Sequence, residues 1–344
     1  MWRIAARGHD GRWSILVDKR ATAANLLLTG LLLAASLASL CLGSASIGAT
    51  AALRGLFGHG DAMTVFVIRE LRLTRLAAGL LSGAAFALAG CLMQTLARNR
   101  LATPGIIGID NGATAFAVAS VVGTGFGLAP PAMALAGAAT ATAITFGLAG
   151  GVGTRGYRFI VAGIGVGAAF GAGTQLMLAR APIDNANTAY PWTVGSLNAA
   201  DPLAVELLAV GLPAALVGAG LLARALAAVR FSDAVARGLG IRVGRCRLHA
   251  LALAVLLSAL AVAVAGPVGL IALMGPEIAR HLSSRRGVPL FGAALAGALI
   301  MVVADLVGRR VLAPIEIPAG LITSVVGAPF LLWILLRPGH RIGA

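Results

Sequence analysis

Ten apolar stretches, each close to the length of a membrane-spanning helix, constrain this chain more than any other feature. They lie near 22–42, 76–96, 104–123, 131–150, 159–179, 203–223, 248–266, 268–283, 289–308 and 318–336. About 20 mostly apolar residues carry a helix across about 30 Å of hydrocarbon. Inside that layer every backbone donor and acceptor must find its partner within the protein, so a spanning segment is a helix or part of a closed barrel. Runs this long and this apolar read as helices. The seventh and eighth form one nearly continuous run, Leu248 to Leu282, divided at Gly266-Pro267. Proline lacks a backbone donor and its ring clashes with the preceding turn, so two short helices are expected there.

Composition agrees. The chain is 59% hydrophobic and 11% charged, where soluble domains carry about 25% charged residues. The expectation is an all-α polytopic membrane protein of about ten transmembrane helices. Residues 1–21 form a basic amino-terminal segment, 22–337 a single transmembrane domain and 338–344 a short tail. Ser44-Ala45-Ser46 looks like a signal-peptide cleavage site, but the apolar run before it is too long for a signal peptide. An uncleaved first span is expected.

The net charge of +15 does not point to nucleic acid in such a chain, because positive residues gather in cytoplasmic loops. With the amino terminus inside, about 20 of the 27 Lys and Arg residues fall on the inner side. Arg54, Arg69, Arg72, Arg75, Arg180, Arg309 and Arg310 fall outside. Both termini are then cytoplasmic. Cys41, Cys91 and Cys246 are too scattered for a disulfide framework, and the histidines show no metal-ligand spacing, so neither a metal site nor a cofactor is expected. Lys19 is the only lysine, which rules out a P-loop in this chain. No histidine sits deep in a span to activate a serine. The intramembrane acids Asp110, Glu277 and Asp305 are the candidates for an ion-coupled carrier, although each lies near a span end.

Small residues fill the spans, as in "GLLSGAAFALAG" (Gly79–Gly90) and "GIGVGAAFGAG" (Gly163–Gly173), and allow helix backbones to approach closely. "LLSGAAFALAG" at 80–90 and "LLSALAVAVAG" at 256–266 agree at seven of eleven positions. In the topology above the two run in opposite directions, the pattern of an inverted repeat.

Three longer segments carry most of the functional information. They are "RELRLTRLAAGLLSGAAFALAGCLMQTLARNRLATPGIIGIDNGA" (Arg69–Ala113), "ARGLGIRVGRCRLHALALAVLLSALAVAVAGPVGLIALMGPEIARHL" (Ala236–Leu282) and "ADLVGRRVLAPIEIPAGLITSVVGAPFLLWILL" (Ala304–Leu336). Together they resemble the permease subunits of bacterial ABC importers for iron-siderophores, haem and cobalamin, the FecCD family, from about residue 65 to 337.

The resemblance implies a cobalamin/siderophore-importer permease fold, with residues 22–337 as the permease domain. It implies no catalysis in this chain, two separate ATP-binding cassette subunits inside, and a periplasmic or lipoprotein substrate-binding protein outside. A second permease subunit, identical or paralogous, completes the pore. The membrane is the bacterial inner membrane and the substrate a ferric siderophore, with cobalamin or haem as the alternative. An ion-coupled secondary transporter is the alternative outside the family.

By the same resemblance, the basic loop 230–247, "RFSDAVARGLGIRVGRCR", forms two short helices that dock on the ATPase. Its coupling residues are Ser232, Asp233, Ala236, Arg237, Gly238, Leu239 and Gly240. Ser232 or Asp233 suits a helix start, the glycines suit a tight reversal, and Ala234, Ala236 and Leu239 offer a low apolar surface. Arg72, Arg75 and Arg309 occupy the positions of outward arginines that meet acidic residues of the binding protein. Asn99 and Leu101, in "RNRLATPG", are expected at a cytoplasmic gate opposed by "TRGYRF" (Thr154–Phe159). The chain departs from the family pattern at Glu277, where His is common, and at Thr74 and Arg100, where Pro is common.

Overall fold

The computed structural model describes residues 2–5, 14–43, 47–123, 128–150, 157–198, 200–283 and 287–336. The tail 338–344 and residues 154–156 of the Thr154–Phe159 loop lie outside the described residues. The amino-terminal segment folds into an antiparallel hairpin, β1 (Trp2–Ala5) and β2 (Ser14–Val17), with Trp2 opposite Val17 and Ala5 opposite Ser14. The later secondary-structure elements among the described residues are all helical.

Each expected span has a helix. α1 (Lys19–Cys41) starts at an Asp18 cap whose carboxylate accepts from the Arg20 N–H. The short helices α2 (Ala49–Leu56) and α3 (Ala62–Phe66) follow, then a π-helical turn, Val67–Arg72, that runs without a break into α4 (Leu73–Ala97). A 3-10 turn at Pro104–Ile107 leads into α5 (Ile109–Val122), and α6 (Pro130–Ala149) and α7 (Tyr157–Arg180) complete the first half. Two short helices, α8 (Ile183–Ala189) and α9 (Pro191–Val194), precede α10 (Pro202–Phe231) and α11 (Asp233–Gly238). The chain closes with α12 (Val243–Ala265), α13 (Ile271–Leu282), α14 (Leu290–Val311) and α15 (Ala319–Leu336).

Among the described residues, seven helices are long and apolar enough to cross a membrane alone: α1, α4, α6, α7, α10, α12 and α14. α5 and α15 are shorter apolar helices. α13 has 12 residues, about 18 Å of helix, and falls short of the bilayer thickness. The expected break explains it: Gly266 takes φ +68° and α13 resumes only at Ile271. Non-helical backbone at such depth is tolerated when protein covers it. Here the Ala265 carbonyl accepts from the Ser196 N–H at 2.8 Å, and the Gly195 carbonyl accepts from the Gly320 N–H at 3.0 Å. Val268 and Leu197 in these segments are buried.

α4 forms the centre and is buried along most of its length. α10, α12, α13 and α14 pack around it, while α5, α6 and α7 form a second group joined to it through α12. Small residues decide these distances. A methyl group added at Gly83 would stand 2.5 Å from the Gly297 carbonyl oxygen of α14, and one at Gly112 would stand 2.6 Å from the Gly137 carbonyl oxygen of α6. Close backbone packing of this kind stands in for the hydrophobic drive that lipid removes. The similar segments 80–90 and 256–266 lie on α4 and α12, which pack directly on each other. Each also packs on the fourth-span or ninth-span helix of the opposite half, α4 on α14 and α12 on α6.

Candidate functional site

α4 runs from Arg72 at one end of the bundle to Arg98 at the other, and clusters of charge mark both ends. At its start, the guanidiniums turn inward. Arg72 is buried and donates from Nη1 to the carbonyls of Leu40 at 2.6 Å and Cys41 at 3.1 Å at the end of α1, the latter also accepting from the Ile47 N–H at 3.0 Å. Arg309, on α14, donates to Ser39 Oγ at 2.7 Å and pairs with Asp305 one turn earlier at 3.0 Å. Arg75 pairs with the same Asp305 at 2.9 Å and with Glu316 at 2.9 Å. The three arginines expected to meet a binding protein thus turn toward the protein in this chain, Arg72 buried and Arg75 and Arg309 mostly so. Leaving the Leu40 carbonyl and the carboxylate of Asp305 unpaired would be costly, and these arginines satisfy them. The solvent-exposed cations at this end include Arg54, Arg69 and Arg310.

At the other end, α10 gives way to α11. Ser232 takes extended backbone, and its Oγ accepts from the Val235 N–H at 3.0 Å, so Ser232 rather than Asp233 is the helix cap. Asp233 instead pairs with Arg247 of α12 at 2.9 Å and with Arg98, the residue that ends α4. Gly240 reverses the chain at φ +77°, a conformation that favours glycine. Gly238 is ordinary helix, with open space around it. α12 begins only three residues after Gly240, so the loop holds one short helix, not the two expected.

The exposed face of α11 also differs from the expectation. Ala236 is fully buried in the core that includes Val229, Val243 and Cys246. Ala234, Val235, Arg237 and Leu239 are exposed, and Phe231 projects just before them. The apolar surface is thus Phe231, Ala234, Val235 and Leu239, without Ala236.

Asn99 and Leu101 lie beside this loop and are exposed. Asn99 Oδ1 accepts from the Leu101 N–H at 2.9 Å, which holds the turn between α4 and α5. Between them, Arg100 reaches Glu277 of α13 at 3.1 Å. Glu277 is buried, and Arg280 holds its second oxygen at 2.8 Å. Two of the residues that stand apart from the pattern above, Arg100 and Glu277, are therefore partners. Sequence reasoning missed this because they are 177 positions apart. The signal was present in outline, as a cation gained in one loop and an anion gained in one helix.

Asp110 accepts from Ser258 Oγ at 3.4 Å. Among the described residues, no group of three or more His, Cys, Asp or Glu side chains could hold a metal ion.

The sequence model of the FecCD transport family matches residues 31–337. The chain belongs to the FecCD transport family. This FecCD chain is 33% identical over 342 residues to the achromobactin transport system permease protein CbrC of Dickeya dadantii, covering 96% of each chain. It is 32% identical over 328 residues to the ferric enterobactin transport system permease protein FepG of Escherichia coli, covering 95% of this chain and 99% of the relative. It is 34% identical to the hemin transport system permease protein HmuU of Yersinia pestis, covering 87% and 92%. Its fold matches a solved structure described as an inward-facing conformation of a metal-chelate type ABC transporter. The TM-score is 0.79 at 23% identity, over 92% of this chain and 100% of the other. The FecCD chain is a multi-span transport permease.

Proposed function

We propose that this chain is the membrane-spanning subunit of a binding-protein-dependent ABC importer that takes ferric siderophores across the bacterial inner membrane. The observation that carries this is end-to-end similarity to permeases named for achromobactin and ferric enterobactin. The similarity to a hemin permease supports haem as the second reading of the cargo. Two permease subunits enclose the pore, a binding protein delivers the chelate outside, and two ATPase subunits bind inside. Both termini face the cytoplasm, as the distribution of arginine favours.

In this assignment α11 is the coupling element. Phe231, Ala234, Val235 and Leu239 form the apolar part of its ATPase contact, Arg237 adds charge, and Ser232, Asp233, Ala236, Gly238 and Gly240 hold its shape. Asn99 and Leu101 line the cytoplasmic gate. At the outer end, Arg75 and Arg309 act through the field of their cluster, in which arginines outnumber carboxylates. Glu316 is half-exposed and is the carboxylate that an acidic residue of the binding protein would displace. Such contacts set encounter rate and register more than affinity. Arg72 supports this face by fastening α1.

The test is uptake by iron-starved cells lacking the gene. They are offered radio-iron on a panel of siderophores, with labelled haem and cobalamin in parallel. Selective loss of one ferric siderophore, restored by the wild-type gene, is the expected result. Loss of haem or cobalamin uptake alone would transfer the assignment to that cargo.

A further inference from the structure

Arg98 and Arg100 are separated by a single residue, yet they grip different helices. Arg98 is the only described residue other than glycine with a left-handed backbone, φ +51°, a conformation that side-chain-bearing residues avoid. It turns the guanidinium back across the end of α4. Nε donates to the Val229 carbonyl of α10 at 2.9 Å, and Nη2 pairs with Asp233 of α11. Asp233 is mostly buried and is also held by Arg247 of α12.

Arg100 points to the opposite side. It pairs with Glu277, which lies in α13 with its side chain only 4% exposed. Arg280 completes that carboxylate's shell and also bonds Gln94 of α4, whose amide donates to the Ala272 carbonyl at 3.2 Å. Between the two arginines, the Asn99–Leu101 hydrogen bond stiffens the turn. A buried carboxylate resists losing its counter-charge, because no water waits to replace it. Both ends of the segment are therefore anchored on buried acids.

We propose that residues 98–101 form a strut that carries displacement of α11 to α13, with Arg98 and Arg100 as its positioning residues. The proposal rests on the reading of α11 as the coupling element. When an ATPase moves α11, the Arg98–Asp233 pair pulls the end of α4, and the Arg100–Glu277 pair passes that movement to α13. The gate residues Asn99 and Leu101 ride on the strut itself. Coupling of this kind needs a physical connection with defined arrangements, and this connection consists of two ion pairs made by residues 98 and 100 of one short loop.

The experiment uses the chain in complex with its ATPase, with Cys41, Cys91 and Cys246 replaced by alanine. Nitroxide labels are placed at Arg242, in the turn tied to α11 by the bond from the Ile241 N–H to the Ala236 carbonyl, and at Leu282 on α13, both exposed. Their separation is measured by pulsed electron resonance without nucleotide and after trapping with ATP and vanadate. The expected result is an unchanged separation in the parent complex. In R98Q and in R100Q the trapped distribution shifts beyond the parent's width, and in R98K and R100K it does not. A separation that changes in the parent, or stays fixed in R98Q and R100Q, overturns the strut. Failure of the parent chain to capture an ATPase at all removes the coupling reading, and the strut with it, which distinguishes the two failures.

Discussion

The two ends of α4 are both rich in arginine and put it to opposite uses. At the α1 end the guanidiniums are themselves packed away: the Arg309 side chain is 9% exposed and Arg75 18%, around an Asp305 at 6%. At the α11 end the carboxylates are buried too, but Arg98 at 36% exposed and Arg100 at 48% reach water, while Arg247 and Arg280 stay at 21%. A pair buried on both sides fixes one geometry, because either partner pays a heavy desolvation cost if it leaves. A pair with one arm in water can be re-formed at small cost. The first arrangement clamps helices; the second suits contacts that move.

The largest test of that contrast is D305N. It leaves Arg75 and Arg309 without their shared carboxylate, and the expected loss of stability is about 3–5 kcal/mol. The matching change at the other end, D233N, leaves Arg98 and Arg247, which at 36% and 21% exposed can turn to water, and should cost less, about 1 kcal/mol. Thermal unfolding in detergent compares the two directly. Equal losses would erase the distinction between the ends.

Next is R72M, which keeps the apolar stem but removes the donor to Leu40 and Cys41. Hydrogen bonds from a charged group contribute about 1.5–3 kcal/mol, and a loss of stability in that range is expected. Binding-protein association should survive in the molecules that remain folded. Association lost without any loss of stability would return Arg72 to the docking surface.

Arg72 also shows where sequence reading reached its limit. The helices of the ten expected stretches were legible because apolar length is a local property, and lipid leaves the backbone few choices. The exposure of the polar loop around α11 was legible too, since polar sequence between two long apolar runs has nowhere to go but the surface. The direction of a side chain at a helix end is different. Arg72 turns inward because α1 ends beside it with carbonyls that accept from its guanidinium, a fact about residues 31 and 32 positions away. The pairing of Arg100 with Glu277, and of Arg98 with Asp233, likewise depends on how helices meet. Ala236 looked like contact surface, since alanine suits an interface or a core equally. Only the register of α11 decides between them.

G240A sharpens the picture at the α11 end on a smaller scale. The left-handed backbone at Gly240 should make a methyl group cost about 1–2 kcal/mol. G238A, two residues earlier in helical backbone with open space, should be neutral or slightly stabilising, because alanine is favoured over glycine in a helix by about 1 kcal/mol. Unfolding of the two variants side by side tests whether one glycine or both make the reversal. Equal penalties would mean that Gly238 also bends the chain.

The smallest effect on stability should come from L239D, and it is the most informative about function. Leu239 is 68% exposed at the end of α11, and no core is disturbed by changing it. Surface substitutions of that kind usually stay within about 0.5 kcal/mol. An apolar side chain meant for a partner's groove behaves differently, because a carboxylate there must be desolvated on docking. A penalty of only about 1.4 kcal/mol at the interface lowers affinity tenfold. The expected outcome is an unchanged unfolding temperature with ATPase capture reduced tenfold or more. If D305N unfolds the protein while L239D leaves it folded and alone, the two ends of α4 have separate tasks. If L239D captures ATPase as the wild type does, the exposed apolar face of α11 is not the coupling contact, and the connection through Asp233 and Arg98 has no motion to transmit.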